Sequence, residues 1–240
     1  MAVVVNYYSS KSFINLSSAI SQKIYGEIKG VAMKWVPLSC CNDYLVAGGV
    51  SLASVGHKAH VWCSGYTKPY GSCSRPHKIY CVRGPLSQQK AKQHMNISTV
   101  CGGDPLLLIS DIYEIDDADF VPCIFTRNPL EDFHGPLKNS ARCITLNDSL
   151  STILISIKNA PYVITDFLEG LVMGDSFGVP TSFVSDGAIP FVVRDYLNNF
   201  DRSNQGVIEK LPDTLGGFCS YRVRNISSLK HHLLSTMPSL

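Results

Sequence analysis

The sequence predicts an α/β fold of two Rossmann-like lobes, 1–115 and 116–240, facing a central cleft. Three observations predict it. Short apolar runs closed by Gly, Ser or Pro alternate with stretches of helical period, this alternation occurs twice, and a polar, acidic stretch from Tyr113 to Asp119 separates the two occurrences.

Along the first half, Phe13, Leu16, Ile20 and Ile24 recur at helical spacing, which predicts a helix from Phe13 to Tyr25 with Gly26 as its stop. Strands are expected at Val31 to Val36, Tyr44 to Ala47 and Ala59 to Trp62, and the turn Gly48-Gly49-Val50-Ser51 follows the second. Residues 79–108 carry a βαβ pattern. The run Ile79 to Val82 ends at Arg83-Gly84-Pro85, a Gln- and Lys-rich helical stretch follows, and a second apolar run ends at Gly102-Gly103-Asp104-Pro105. In the second half the strands are Phe120 to Phe125, Ala141 to Leu146, Tyr162 to Thr165 and a run ending at Val184. The helices are Leu150 to Lys158 and Leu168 to Phe177, and Ile226, Leu229, Leu233 and Leu234 mark a terminal one.

Composition narrows the function classes. The 240 residues are 45% hydrophobic and 17% charged with no charged tail, which describes a globular chain able to bury a core. A net charge of +2 without a Lys/Arg stripe argues against nucleic acid, so any bound anion is expected to be small. The start MAVVVNYYSS lacks a basic segment followed by a sustained apolar one, and no apolar run has the length of a bilayer span. A cytoplasmic protein, at most peripheral to the inner membrane, is the expectation. The nine cysteines are odd in number and contain no C-x2-C pair, so buried reduced thiols are expected and no metal site. His57 and His60 would share one turn of a helix but lack a third ligand nearby, and Trp35 and Trp62 fall in strands, where a core role is expected.

Ligands of open α/β sheets sit at the carboxyl ends of strands, which makes Arg83 and Asp104 candidates for a polar ligand, with an anion at Arg83. Pairing of the two with each other, or helix capping, explains the same spacing. Amides of Gly48 and Gly49 could hold an anion or form an ordinary turn. Thr165 and Asp166 stand where a helix begins, either to receive an anion or as its N-cap, and Glu169 in the first turn suits the helix dipole without further duty. Asn15, just before Leu16, is an N-cap candidate. Gly170 and Gly174, four apart, would let their helix lie close against the sheet.

With these segments in place, the chain resembles the polysaccharide pyruvyl transferase family, over nearly its whole length and in the family's order. KSFINLSSAISQKIYG is similar to the family's opening loop and helix, and VAGGVSLASVGHKAHVWCSGY to the strand, Gly-rich turn and strand that follow. VRGPLSQQKA and GGDPLLL are close to the family pattern. YVITDFLEGLVMGDSFGVP is similar to the donor-site helix, and FVVRDYLNNF to the aromatic and basic segment after it. The resemblance implies a GT-B-like enzyme that moves pyruvyl from phosphoenolpyruvate, as co-substrate and without another cofactor, onto a sugar or lipid-linked oligosaccharide of a capsule, exopolysaccharide or cell-wall precursor, as a cyclic ketal.

That reaction needs a proton for the methylene carbon, attack by two sugar hydroxyls and departure of phosphate. The resemblance therefore implies donor binding by Arg83, Thr165, Asp166 and Arg194, acceptor binding by Asn15, Gly48 and Gly49, and catalysis by Glu169, Asp104 and Asn15. Four family positions differ: Asn15, with Ile14 before it, stands where the family has aspartate and glycine, while Glu169 and Cys123 stand where it has histidine. An asparagine positions a hydroxyl but takes no proton, and a glutamate replaces imidazole as an acid only if burial raises its pKa. Two other readings compete: a catalytically impaired relative that binds a glycan or a partner protein, and a glycosyltransferase of similar architecture using a nucleotide sugar.

Overall fold

Parallel strands buried on both faces read as unbroken apolar runs, and two such sheets organise the chain. The structure is a computed structural model that describes residues 4–7, 16–35, 43–71, 75–96, 98–100, 102–127, 140–200, 202, 206–209 and 221–240. It divides into two compact units: Met1–Leu108 with Pro190–Ser203 and Ser227–Leu240, and Ile109–Ile189 with Asn204–Ile226.

The first unit holds β1 (Val4–Tyr7), β2 (Ala32–Trp35), β3 (Tyr44–Ala47), β4 (Ala59–Ser64) and β5 (Lys78–Val82), all parallel, in the order β2-β1-β3-β4-β5. Strand β3 is buried along its whole length, as the apolar run YLVA requires of a central strand. Helices α1 (Leu16–Lys29) and α2 (Pro85–Met95) belong to the same unit. The run Val4–Tyr7, which carries no alternation, forms the strand that pairs with both β2 and β3.

Helix α1 does not stop at Gly26. It continues to Lys29, and Gly30 with φ +63° closes it, because a left-handed residue breaks the helical bond pattern. Gly26 serves packing instead: a Cβ there would meet Met33 Cγ and Val31 O at 3.0 Å, where the chain folds back towards β2. The apolar run before Gly102 forms no regular strand among its described residues. It still extends the edge of β5 by hydrogen bonds from Val82 N to Val100 O (2.9 Å) and from Gly102 N to Val82 O (2.8 Å).

The second unit holds β6 (Cys123–Thr126), β7 (Arg142–Thr145), β8 (Val163–Thr165), β9 (Thr181–Val184) and β10 (Val207–Ile208), parallel and in the order β10-β9-β8-β6-β7. Helices α3 (Ile109–Ile112), α4 (Leu150–Lys158) and α5 (Leu168–Ser176) accompany it. Numbered within its own unit, each sheet reads 2-1-3-4-5, so each has its topological switch point between its first and third strands. Gly170 and Gly174 do bring α5 close to the sheet. A Cβ would lie 2.3 Å from Thr165 Oγ1 at the first and 2.1 Å from Thr181 Oγ1 at the second.

The units are not two consecutive halves divided at 115/116. Helix α6 (Phe191–Leu197) and helix α7 (Ile226–Ser235), apart from its first residue, pack with the first unit. Buried donors explain the return of the C-terminal segment: Trp62 Nε1 donates to Leu233 O (3.3 Å) and Tyr25 Oη to Pro238 O (3.0 Å), so two core aromatic groups find acceptors there. The acidic stretch at 113–119 belongs to the second unit. Lys158 Nζ, near the end of α4, bonds Asp117 Oδ1 (3.1 Å) and Ile115 O, and Asn159 Nδ2 donates to Asp116 O (3.1 Å). Among the described residues, no helix is long and apolar enough to cross a membrane.

Candidate functional site

In the first unit the carboxyl ends of the strands carry three of the expected residues. Gly48 and Gly49 follow β3 with φ of +56° and +51°. Gly48 is buried, its amide donates to Trp62 O (3.1 Å) and its carbonyl accepts from Ser64 Oγ (3.0 Å), so that amide is committed to the fold and not open to an anion. Beside it, Gln22 Nε2 donates to Ala47 O (3.2 Å). Asn15 lies outside the described residues.

Arg83 and Asp104 are brought together, as the pairing alternative required. Arg83 Nε donates to Asp104 Oδ2 at 3.3 Å, and the residues are 1% and 0% exposed. Asp104 Oδ1 accepts from Leu106 N (3.1 Å), capping the 3-10 turn Pro105–Leu108. Burial pushes the Asp104 carboxyl above its ordinary range, although the Arg83 charge and the Leu106 amide pull the other way. Arg83 Nη1 is buried and has no hydrogen-bond partner among the described residues. The guanidinium is thus oriented on one side by its carboxylate and left with an unmet donor.

The start of α2, immediately after Arg83-Gly84, is occupied by the chain's own anion. Asp195 on α6 accepts from Ser87 N (2.9 Å) through Oδ1 and from Ser87 Oγ (2.5 Å) through Oδ2. Burial raises its pKa, and the Ser87 hydrogen bonds oppose that. Asn199 Nδ2 adds a bond to Arg83 O (2.9 Å). Gly84 has room for no side chain, since a Cβ would stand 2.0 Å from Asp195 O. Sequence reasoning missed Asp195, Ser87 and Asn199. The one signal was a carboxylate, Asp195, set beside Arg194 in the otherwise apolar FVVRDYL. Arg194, next to it on α6, is exposed.

In the second unit Thr165 and Asp166 precede helix α5, whose N-cap is Phe167 without a side-chain cap. The Thr165 hydroxyl turns back on the local backbone, donating to Phe167 O (3.3 Å) and accepting from Phe167 N (3.4 Å). Asp166 joins the strand ends at this sheet's switch point, accepting from Thr126 Oγ1 and Arg127 N, both at 3.2 Å. A recess of about 30 Å³ there is lined by Phe125, Thr126, Ile164, Thr165, Asp166 and neighbours. Arg127 lies 5.6 Å from the Phe167 ring centroid. Glu169, in the first turn of α5, is partly exposed.

Cys123 begins β6 and is fully buried. Burial first, and Cys143 second, push its thiol up to about 12, so it keeps its proton at neutral pH and performs none of the proton transfer open to histidine. His57 and His60 do not share a helix. His60 is on β4, its ring 4.8 Å from that of His77, and His57 is in the preceding turn. Among the described residues no group of three or more His, Cys, Asp or Glu is arranged to hold a metal ion. Compared with models of protein families and with curated proteins, the chain matches none.

Proposed function

We propose that this protein is a GT-B-like, cytoplasmic transferase of the polysaccharide pyruvyl transferase kind, which moves pyruvyl from phosphoenolpyruvate to a sugar of a polysaccharide or cell-wall precursor. The observation that carries the reading is Arg83: a buried cation at a strand end, fixed through Nε by Asp104, with Nη1 unmet among the described residues. An unmet buried donor of this kind costs about 1–3 kcal/mol and gains that back when an oxyanion accepts it. The donor's phosphate or carboxylate is such an acceptor. Asp104, with both oxygens engaged, acts here as the positioning group for Arg83. Glu169 is the proposed proton donor, Arg194 an outer cation, and Thr165 and Asp166 shape the second unit's strand ends. Asn15 and Gly49 are the proposed acceptor-binding residues, and the two parallel-sheet units support the two-lobed architecture.

The test is titration of phosphoenolpyruvate into the folded protein and into Arg83→Lys, which keeps the charge but loses the planar second donor. Binding should weaken by about 1.5–3 kcal/mol in the variant, roughly 10- to 150-fold. Phosphate release should require both the donor and one of a panel of galactose, glucose and mannose acceptors. A folded protein that neither binds the donor nor releases phosphate overturns the proposal.

A second reading is favoured by one observation. Cys123 is an inert core thiol, so a relative that keeps the scaffold without turnover would bind the donor, release no phosphate, and gain activity when Asn15→Asp and Glu169→His are combined.

A further inference from the structure

Two cysteines on neighbouring strands of the first sheet are in contact. Cys63 Sγ and Cys81 Sγ lie 2.9 Å apart, both in residues with no exposure. The contact is built by an irregularity in β4: the register with β5 shifts on either side of Trp62, which stands opposite Cys81, and the second shift leaves Cys63, with a φ of +62° outside the strand region, unpaired between Trp62 and Ser64. A regular strand would alternate its side chains across the sheet, whereas the shift turns the Cys63 thiol onto Cys81. In the other described pair on neighbouring strands, Cys123 and Cys143, the Cys143 Sγ is directed to Ala141 O (3.8 Å).

The surroundings treat the two thiols differently. Thr236, just beyond α7, brings Oγ1 to 3.3 Å from Cys81 Sγ. Burial raises the Cys81 thiol, but hydrogen bonds from Cys63 and Thr236 more than offset it, so its pKa falls below the ordinary value; burial holds Cys63 well above. The contact also packs on the loop bearing Asp104, since a Cβ at Gly102 would lie 2.6 Å from Cys81 Sγ and 3.2 Å from Cys63 Sγ.

We propose that Cys63 and Cys81 form a reversible two-electron oxidation site that takes a low-molecular-weight disulfide as its oxidant. Cys81, as thiolate, attacks one sulfur of the oxidant, its S–S bond breaks and one thiol leaves, giving a mixed disulfide on Cys81. Cys63 then gives up its proton and attacks Cys81 Sγ, releasing the second thiol. Two protein thiols are oxidised and one oxidant disulfide is reduced to two thiols. Closing the bond moves the sulfurs by about 0.9 Å, to the usual length near 2.05 Å. Helix α7 covers the pair through Trp62–Leu233 and Thr236, so entry of the oxidant follows the lifting of that helix.

The full folded chain is incubated with oxidised glutathione, remaining thiols are alkylated in denaturant, and the protein is cut with chymotrypsin, which separates Cys63 from Cys73 after Tyr66 or Tyr70. The expected product is a Cys63–Cys81 crosslinked peptide, two hydrogens lighter than its parts, that dithiothreitol abolishes. Cys63→Ser, folded by thermal melt, should halt at a glutathione adduct on Cys81, and Cys81→Ser should give neither adduct nor crosslink at these positions. Alkylatable Cys63 and Cys81 after prolonged oxidation, pairing of Cys81 with another cysteine, or an adduct first on Cys63 would each overturn the proposal.

Discussion

Arg83 shows what one residue can and cannot announce. Its place at the end of an apolar run before Gly-Pro marked it in the sequence, and Asp104 was marked in the same way. That the two meet at 3.3 Å with neither exposed is a fact of folding. Removing one charge of a buried pair leaves the other uncompensated, so Asp104→Asn should lower stability by about 3–5 kcal/mol, read from urea unfolding. Arg83→Met with Asp104→Leu should lose less than that single change, because no lone charge remains. Equal losses in the single and the double variant would show that the site tolerates a lone guanidinium and that Asp104 does not hold it. Cys123 makes the opposite point. A thiol at a position of interest in the sequence proves to be core, and only burial reveals its inertness.

At the scale of elements, α4 and β3 follow the sequence to the residue because their limits are local: Ser149 caps α4, and a Gly-Gly turn ends β3. Helix α1 overran its expected stop because Gly26 is needed for a close approach, which no local pattern shows. The same reasoning yields a prediction at α5. Alanine favours a helix over glycine by about 1 kcal/mol. In Gly174→Ala, however, the new methyl would stand 2.1 Å from Thr181 Oγ1 and 3.2 Å from its Cβ, so the strand and helix must part. A net loss of about 1–3 kcal/mol in thermal or urea unfolding is expected. A gain would mean that α5 and β9 separate freely, and that the glycine spacing carries no packing.

For the whole molecule, buried titratable groups should set the dependence of stability on pH. Asp104 and Asp195 have native pKa values above the ordinary 3.8, so the folded state holds protons that the unfolded state has released. By linkage, their contribution to stability is lost as pH rises from about 4 through those native values. Cys123 acts in the same sense at the alkaline end. Its proton is kept to about 12 in the fold and released at 9 in the unfolded chain, so stability should fall between these, by up to about 1.4 kcal/mol per pH unit. Urea midpoints taken across both windows check this, and Cys123→Ala should flatten the alkaline fall while lowering the whole curve. An alkaline slope unchanged by that substitution would assign the loss to other groups.

Local chemistry settled a great deal: the alternation of strand and helix, most element limits, the parallel sheets implied by continuous apolar strands, and the residues at strand ends. These follow from periodicity, glycine and capping, which act over a few neighbouring residues. Tertiary structure alone decided that α6 and most of α7 return to the first unit, that Asp195 fills the helix end after Arg83-Gly84-Pro85, and that Cys63 touches Cys81. Each joins residues 18 to 213 positions apart, or closes a buried hydrogen bond whose partner has no sequence neighbour. Such contacts form because a buried donor or charge left unmet is costly, and that cost arises only once the chain has excluded water.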